Sequence, residues 1–314
     1  MGKEYAVSLP LRFGILAPQV VPYAVQLVRW RELEAYGFDS LWLADHFVNP
    51  NMPSGRWFEA YAILAAAAAQ TSRIRLGALV TSITFRHPAL FAKEALTIDH
   101  ISNGRFELGL GAGGAPNDFE MTGLQGWEPP ERARRFSEFV LMVDTLLRQE
   151  PGPGASFEGT YYQATDAIMN PAPVQQPRPP LTLAAAGPVT MKFTALHADS
   201  WNQVPSQMGR DQRPPTAAEC VEAVRSRNAR MDDFCAAVGR DPDTLRRSIL
   251  AGGGVTPDAL WSSPEAFRDF VGRYQEVGVN EFIFYYPSRV EQADGHYERI
   301  AREVIPALKE AARA

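Results

Sequence analysis

The chain has 314 residues, of which 46% are hydrophobic and 21% charged, and its formal net charge at pH 7 is −5. These values indicate a globular protein that forms one large α/β domain or two ordinary domains and needs no disulfides to stabilise its core. The acidic balance, without a long basic run, argues against nucleic acids and anionic membranes as partners. The N-terminal sequence lacks a signal-peptide pattern, and the apolar run Ala60–Ala69 is too short to span a bilayer. We therefore expect a cytoplasmic protein.

Two cysteines, Cys220 and Cys235, occur in one predicted helix, with no C-x-x-C motif and no nearby histidine pair. This pattern favours reduced structural thiols over a disulfide or a metal site.

Eight short β-like segments alternate with helical patterns along the chain. Most are continuous apolar runs, which are typical of parallel strands buried on both faces. The predicted strands are Leu11–Ala17, Ser40–Ala44, Ile74–Val80, Phe106–Gly111, Leu181–Ala185, Ser200–Val204, Arg246–Ala251 and Phe282–Tyr286. The predicted helices are Val25–Tyr36, Phe58–Thr71, His87–Ile101, Pro130–Leu147, Pro188–His197, Thr216–Val238, Ser263–Val277 and Tyr297–Ala312. Eight βα units in this length predict that residues 1–314 form a single (β/α)8 TIM barrel, with a doubly wound sheet plus an extra domain as the alternative.

The Pro-rich segment Pro151–Pro180 follows the fourth predicted helix and precedes the fifth predicted strand. Its sequence SFEGTYYQ predicts a small hairpin. In a barrel such an insertion lies on the face away from the chemistry.

The loops that follow the strands carry the chemistry of a barrel, and the pair Asp45 and His46 follows the second strand. A histidine there can donate a proton or bond a reacting carbonyl, although it can also simply bond a neighbouring backbone group. The barrel prediction favours His46 as a catalytic residue. Asp45 is expected to fix the loop or to orient a partner.

The sequence Gly109–Gly114 matches G-x-G-x-x-G, but it belongs to the fourth βα unit and no helix start is evident directly after it. We interpret Gly111 and Gly113 as residues that let a flat ring approach the backbone. Gly187 and Pro188 open a helix whose N-terminus suits a phosphate, and Lys192 either pairs with that phosphate or faces solvent.

Small or apolar side chains dominate the remaining loops and indicate an apolar, bulky substrate. The pocket residues predicted from them are Gln19, Val20, Phe47, Trp57, Phe85 and Trp127. His87 either lines this pocket or caps the following helix. The loop after the sixth strand contains Arg210 and Arg213.

Several ordered motifs together resemble the bacterial luciferase-like superfamily, and in particular its F420-dependent subgroup. They are GFDSLWLADHF at 37–47, LVTSITFRHPALFAK at 79–93, FEGTYY at 157–162 and AAAGPVTMK at 184–192. The resemblance implies a barrel that binds coenzyme F420 or FMN. It places Val80, Thr81, Ser82 and Ile83 against the cofactor ring, with a non-proline cis peptide in that loop, and Ala186, Gly187, Pro188 and Lys192 at the phosphate.

The chain departs from this family's sugar and alcohol dehydrogenases at three positions. Where they have an acid after the first strand and a tryptophan four places beyond the histidine, this chain has Gln19 and Pro50. Where the sugar dehydrogenases also have a glutamate at the end of the fourth strand, it has Gly113–Gly114. The resemblance therefore implies hydride transfer between F420 and a small organic substrate. An FMN-dependent monooxygenase served by a separate reductase and a non-catalytic barrel are the alternatives. A hydrolase or lyase would need more carboxylates at the strand ends. A homodimer is expected, since the family pairs through its second and third helices.

Overall fold

The computed structural model describes residues 9–150, 152–206 and 213–313. Pro151 and Arg210, named above, lie outside the described residues. Within the described part of the chain, no helix has both the length and the apolar composition needed to cross a membrane.

Strands and helices alternate along the described residues. The strands are β1 (Arg12–Leu16), β2 (Ser40–Leu43), β3 (Arg75–Ala78), β4 (Thr81–Ser82), β5 (Phe106–Gly111), β6 (Ala155–Glu158), β7 (Gln163–Ala167), β8 (Leu181–Ala184), β9 (Ser200–Gln203), β10 (Arg246–Ala251) and β11 (Glu281–Tyr285). The helices are α1 (Tyr23–Ala35), α2 (Ala60–Gln70), α3 (Pro88–Ile101), α4 (Pro116–Glu120), α5 (Pro129–Leu147), α6 (Pro188–His197), α7 (Ala217–Ala237), α8 (Pro264–Gln275), α9 (Arg289–Gln292), α10 (His296–Arg299) and α11 (Ile305–Ala311). Short 3-10 turns occupy Ile83–Phe85 and Pro242–Thr244, and a π-helical turn, Ile300–Val304, joins α10 to α11.

The eight strands predicted from the apolar runs are all present, as β1, β2, β3, β5, β8, β9, β10 and β11. The predicted helix at Tyr297–Ala312 is interrupted by the π-helical turn. The short elements β4, α4 and α9 were not predicted.

The chain divides into two compact units. The first unit comprises the described residues of 1–17, 32–41 and 186–314, and the second comprises those of 18–31 and 42–185. That the whole chain forms a single domain remains a prediction.

In the first unit, β1, β11, β10 and β9 pair in parallel in that order. An aromatic cluster forms the core beside them. The rings of Phe13 and Phe282 stack at 5.6 Å, and Trp261 lies 5.4 Å from Phe267 and 5.3 Å from Phe284. The two cysteines on α7 are free and buried, and burial raises the pKa of both thiols.

In the second unit, β5 pairs in parallel with β3, β4 and β8. Close packing here depends on a missing side chain, because a Cβ on Gly77 would collide with the Trp42 ring and the Glu107 carbonyl. The segments that follow the carboxyl ends of β2, β3 and β5 carry polar residues, among them Asp45, His46 and Thr84.

The predicted hairpin is present in the second unit, as the antiparallel strands β6 and β7 between α5 and β8. Glu138 on α5 holds its turn, accepting hydrogen bonds from the backbone N–H groups of Thr160 and Tyr161 at 3.1 and 2.7 Å. The insertion between the fourth predicted helix and the fifth predicted strand is thus confirmed.

Candidate active site

His46, directly after β2, is fixed by contacts to two other segments of the second unit. Its Nδ1 lies 3.0 Å from Asp118 Oδ2, and its carbonyl accepts a 2.8 Å hydrogen bond from Trp57 Nε1. The other Asp118 oxygen accepts the Phe47 N–H at 2.8 Å. A carboxylate at one ring nitrogen orients an imidazole for proton transfer at the other. Nε2 has no partner among the described residues, and the side chain is 33% exposed, so the ring can meet a ligand.

Asp118 was not identified from the sequence, because α4 was not predicted. The inference that no helix follows the glycine loop is wrong, since α4 begins at Pro116, two residues after Gly114. A proline at the first helical position and an acid in the first turn were the available signals. With five residues, the helix is too short for a 3.6-residue periodicity to reveal it.

Asp45 holds the loop after β3 and does not face open space. It is almost fully buried and accepts two hydrogen bonds from Arg86, Nε at 2.9 Å and Nη2 at 2.8 Å. It also accepts the Ser82 N–H at 3.1 Å. The expectation that Asp45 fixes a loop or orients a partner fits these contacts, and its buried carboxylate is not placed to react directly with a substrate.

Arg86, which was not among the predicted site residues, is the centre of a charged cluster. Besides Asp45, its guanidinium donates to Glu59 at 2.6 Å and Glu94 at 3.1 Å, and it lies 4.2 Å above the Tyr61 ring. We call these residues the Arg86 cluster: one cation, three carboxyl groups and one phenol.

Burial dominates the electrostatics of this cluster. It raises the pKa of Asp45, and the bonds from Arg86 offset this only in part. Burial also raises the pKa of Glu94. At Glu59 the bonds from Ala62 and Arg86 outweigh burial, so its pKa is lowered. Burial raises the pKa of Tyr61 strongly, which keeps its phenol protonated.

The loop predicted to face a cofactor ring contains the expected non-proline cis peptide, between Leu79 and Val80. Val80 is partly exposed, whereas Thr81, Ser82 and Ile83 are buried. The Thr81 hydroxyl makes a short hydrogen bond with Tyr61. The side chain of Thr81 therefore faces the protein interior, and Val80 offers the most surface of the four.

The glycines at the end of β5 and directly after it are required by contacts within the protein. A Cβ on Gly111 would collide with the Val80 side chain, and one on Gly113, whose φ is +69°, would collide with Thr84 Oγ1. Gly111 and Gly113 therefore allow their own segment to pack directly against residues 79–84, which we call the cis-peptide loop because it contains the Leu79–Val80 cis peptide. Contact of Gly111 and Gly113 with a cofactor stays a prediction.

The predicted phosphate segment belongs to the first unit. Gly187 is the N-cap of α6 without any side-chain cap, and Ala186, Gly187, Pro188 and Lys192 are exposed. A Cβ on Gly187 would meet no atom closer than 3.7 Å. The first turn of α6 thus presents free backbone N–H groups to incoming anions.

Among the predicted substrate-pocket residues, Gln19 is misplaced. It is fully buried, where its Nε2 donates to the Ala44 carbonyl at 2.5 Å, so it lines no open pocket. Trp57 lies beside His46, with ring centroids 6.3 Å apart. Trp127 packs on Phe119 of α4 at 5.3 Å. His87 caps α3 through its Nδ1, the second of the two interpretations given above.

An open pocket of about 480 Å³ lies in the second unit, next to the residues that fix His46. Its lining residues are Phe47, Thr84, Phe85, Arg86, Thr122 and Leu124. We call it the Phe85 pocket. Among the residues that the structure describes, no group of three or more His, Cys, Asp or Glu side chains is placed to hold a metal ion.

Comparison with known proteins places this geometry in a family. A family model described as luciferase-like monooxygenase matches residues 4–256. The chain belongs to this family. The F420-dependent glucose-6-phosphate dehydrogenase of Amycolatopsis mediterranei is 34% identical over 183 residues, a match that covers 58% of this chain but only 52% of that relative. The enzyme of the same name from Beutenbergia cavernae is 28% identical over a match that covers 88% of this chain and 90% of the relative.

A solved structure shows the fold. An F420-dependent secondary alcohol dehydrogenase, in complex with an F420–acetone adduct, matches with a TM-score of 0.79 and 19% identity. The match covers 95% of this chain and 99% of that one. The fold class is the (β/α)8 barrel that the sequence predicted.

Proposed function

We propose that this chain is an F420-dependent oxidoreductase, which transfers a hydride between coenzyme F420 and a small organic substrate. The observation that carries the proposal is the His46–Asp118 pair, a partly exposed imidazole oriented by a buried carboxylate. Two relatives named as F420-dependent dehydrogenases support the choice of cofactor.

Each of the two units, taken by itself, contains residues that suit one part of such a cofactor. The uncapped first turn of α6 and the open space at Gly187 suit its phosphate, with Lys192 one turn further along. The partly exposed Val80 in the cis-peptide loop offers an apolar surface for a flat ring. When bound, F420 supplies a hydride donor or acceptor, and the protein supplies position and a proton.

His46 is the residue we assign to the proton. Asp118 holds Nδ1, and Nε2 can therefore give a proton to the substrate atom at the other end of the double bond from the carbon that receives the hydride, or take that proton back in the reverse reaction. Trp57 fixes the backbone of His46 and forms a wall beside the ring. Asp45 and Arg86 are positioning residues, because Asp45 bonds both Arg86 and the backbone N–H of Ser82 and so holds the segment that contains Ser82.

The neighbourhood of His46 differs from that expected for the family's sugar and alcohol dehydrogenases, which carry an acid after the first strand and, in the sugar dehydrogenases, a glutamate after the fourth. Gln19 is buried and neutral, and Gly113 is closed against Thr84. We therefore propose that the substrate has a C=C or C=N bond that is reduced, or the corresponding saturated bond. As further proposals, the protein works in the cytoplasm as a homodimer, with a separate reductase supplying reduced cofactor.

The experiment mixes the purified chain with reduced F420 and a panel of enones and imines, and follows the return of the oxidised cofactor's absorbance together with oxygen uptake. We expect substrate-dependent oxidation of F420 without matching oxygen uptake, and a strong loss of turnover in His46→Ala. Oxygen uptake coupled to reduced FMN would instead support a monooxygenase.

A further inference from the structure

We propose that the Phe85 pocket binds an uncharged apolar ring of the substrate and rejects anionic groups. This inference deepens the proposed function and rests on it, because it names the class of substrate for the same site. It separates this chain from the relatives named after glucose 6-phosphate, whose substrate is an anion.

The pocket is joined to the candidate catalytic histidine by one carboxylate. Asp118 holds the His46 ring with Oδ2 and the backbone N–H of Phe47, a pocket wall, with Oδ1. Thr122, another lining residue, donates its hydroxyl to the Asp118 carbonyl at 2.6 Å. A group bound in the pocket therefore lies against the segments that orient His46.

Three of the pocket's six lining residues, Phe47, Phe85 and Leu124, are apolar, and each is at least partly exposed. Phe47 is 51% and Leu124 42% exposed, and the rings of Phe47 and Phe85 meet edge to face at 6.5 Å. Exposed apolar side chains gathered around a concavity are typical of a ligand site, and a volume of about 480 Å³ suits a ligand of moderate size.

Arg86, the charged residue of the lining, does not act as an anion receptor. A guanidinium has five N–H groups, and four of them are already used: Nε and one Nη2 hydrogen for Asp45, the second Nη2 hydrogen for Glu59 and one Nη1 hydrogen for Glu94. An incoming carboxylate or phosphate would find one N–H group and three carboxyl groups competing for the same cation. The Arg86 cluster is formally negative at neutral pH and repels anions at the pocket rim.

The two threonines of the lining offer no open polar group. The Thr122 hydroxyl is donated to the Asp118 carbonyl. The Thr84 hydroxyl has no hydrogen-bond partner, but its oxygen is buried and lies against Gly113. An uncharged, apolar ring therefore suits this lining better than a group that must keep its hydrogen bonds to water.

The test uses two probes of the same shape, 1-naphthylmethanol and 1-naphthoate, titrated calorimetrically into the full-length chain with and without F420. We expect the alcohol to bind at least about tenfold more tightly than the carboxylate, as one unpaired charge at a partly buried site requires. Equal or tighter binding of the carboxylate would overturn the proposal, and so would no measurable binding of the alcohol.

Variants locate the effect. Leu124→Trp, which fills the pocket, is expected to weaken the alcohol at least about tenfold, whereas Leu90→Trp, at an exposed leucine outside the lining, leaves it unchanged. Glu94→Gln removes one negative charge from the Arg86 cluster and is expected to lower the ratio of the carboxylate's to the alcohol's dissociation constant. If Glu94→Gln unfolds at a much lower temperature, Glu59→Gln is used for the same measurement. Glu158→Gln, at an exposed position on β6, leaves the preference unchanged. Unaltered binding in Leu124→Trp would place the probes elsewhere and overturn the proposal.

The two proposals fail separately. If the alcohol binds more tightly than the carboxylate but F420 does not bind, the proposed oxidoreductase function is contradicted and the proposed ligand preference of the pocket is not. If F420 binds but the two probes bind equally, the proposed ligand preference is contradicted and the oxidoreductase function is not.

Discussion

Asp118 Oδ2 lies 3.0 Å from Nδ1 of His46, although the two residues are 72 positions apart in the chain. This contact joins the segment after β2 to α4. The contact fixes the orientation of a partly exposed histidine.

Replacing Asp118 should separate orientation of the ring from support of the loop. Asp118→Asn can still accept the Phe47 N–H but removes the charge facing His46, so we expect kcat to fall about tenfold to a hundredfold, part of the roughly 10²–10⁴-fold effect of general acid–base catalysis. KM and the F420 dissociation constant should change little. Asp118→Ala should also disturb Phe47 and raise KM. Unchanged kcat in Asp118→Asn, measured by steady-state kinetics, would remove the orienting role.

A methyl group at Gly113 should destabilise the cis-peptide loop. Gly113→Ala places a Cβ against Thr84 Oγ1 at a φ of +69°, and we expect a loss of about 1–3 kcal/mol of unfolding free energy from strain at this backbone conformation. Urea unfolding measures it. Gly126→Ala, where a Cβ meets no atom within 4 Å, is the matched control and should stay within about 0.5 kcal/mol. Adding Thr84→Ala should restore part of the loss, and a full-sized loss in that double variant would locate the strain elsewhere.

Arg86 should contribute far more to the free energy of unfolding than a surface arginine does. Arg86→Met leaves the buried carboxyl of Asp45 without its partner, and breaking a buried pair on one side costs about 3–5 kcal/mol. Arg299→Met removes an exposed pair with Glu303 and should cost under about 1 kcal/mol. Chemical unfolding of both variants compares them, and similar losses would show that the Arg86 cluster is not a structural centre.

The N-terminal cap of helix α7 should stabilise the protein by an amount that depends on pH. Arg213 and Thr216 hydrogen-bond the Glu219 carboxylate and lower its pKa to about 2, from an ordinary 4.5. Because the folded pKa is depressed, the stabilisation is fully present above 4.5 and is lost as pH falls toward 2. Glu219→Gln should therefore lower the thermal midpoint at neutral pH, with a difference that shrinks on acidification. Glu222→Gln, on the same helix in an exposed pair with Arg225, should show little difference at any pH, and a constant gap for Glu219→Gln would contradict the linkage.

The strands could be predicted well because parallel strands that are buried on both faces have continuous runs of apolar residues. Phe106–Gly111 and Arg246–Ala251 were predicted to the residue, as was the helix Pro188–His197. Boundaries were less accurate where a loop takes extended backbone, as at Ile74–Val80, whose last residues belong to the cis-peptide turn.

The site was only partly accessible from the sequence because its contacts are long-range. His46 could be found from its place after a strand, but its partner Asp118 and the pairing of Asp45 with Arg86, 41 positions away, depend on how the chain folds. Gln19 shows the opposite error. This polar residue follows a strand and was predicted to line a pocket, yet its side-chain amide is buried and donates a hydrogen bond to the Ala44 carbonyl.

Equilibrium binding of F420 and of FMN to the full-length chain, measured side by side by calorimetry, tests the central claim most directly. We predict that F420 binds at least about tenfold more tightly than FMN, a difference of about 1.4 kcal/mol. Tighter binding of FMN would contradict the assignment to F420-dependent hydride transfer.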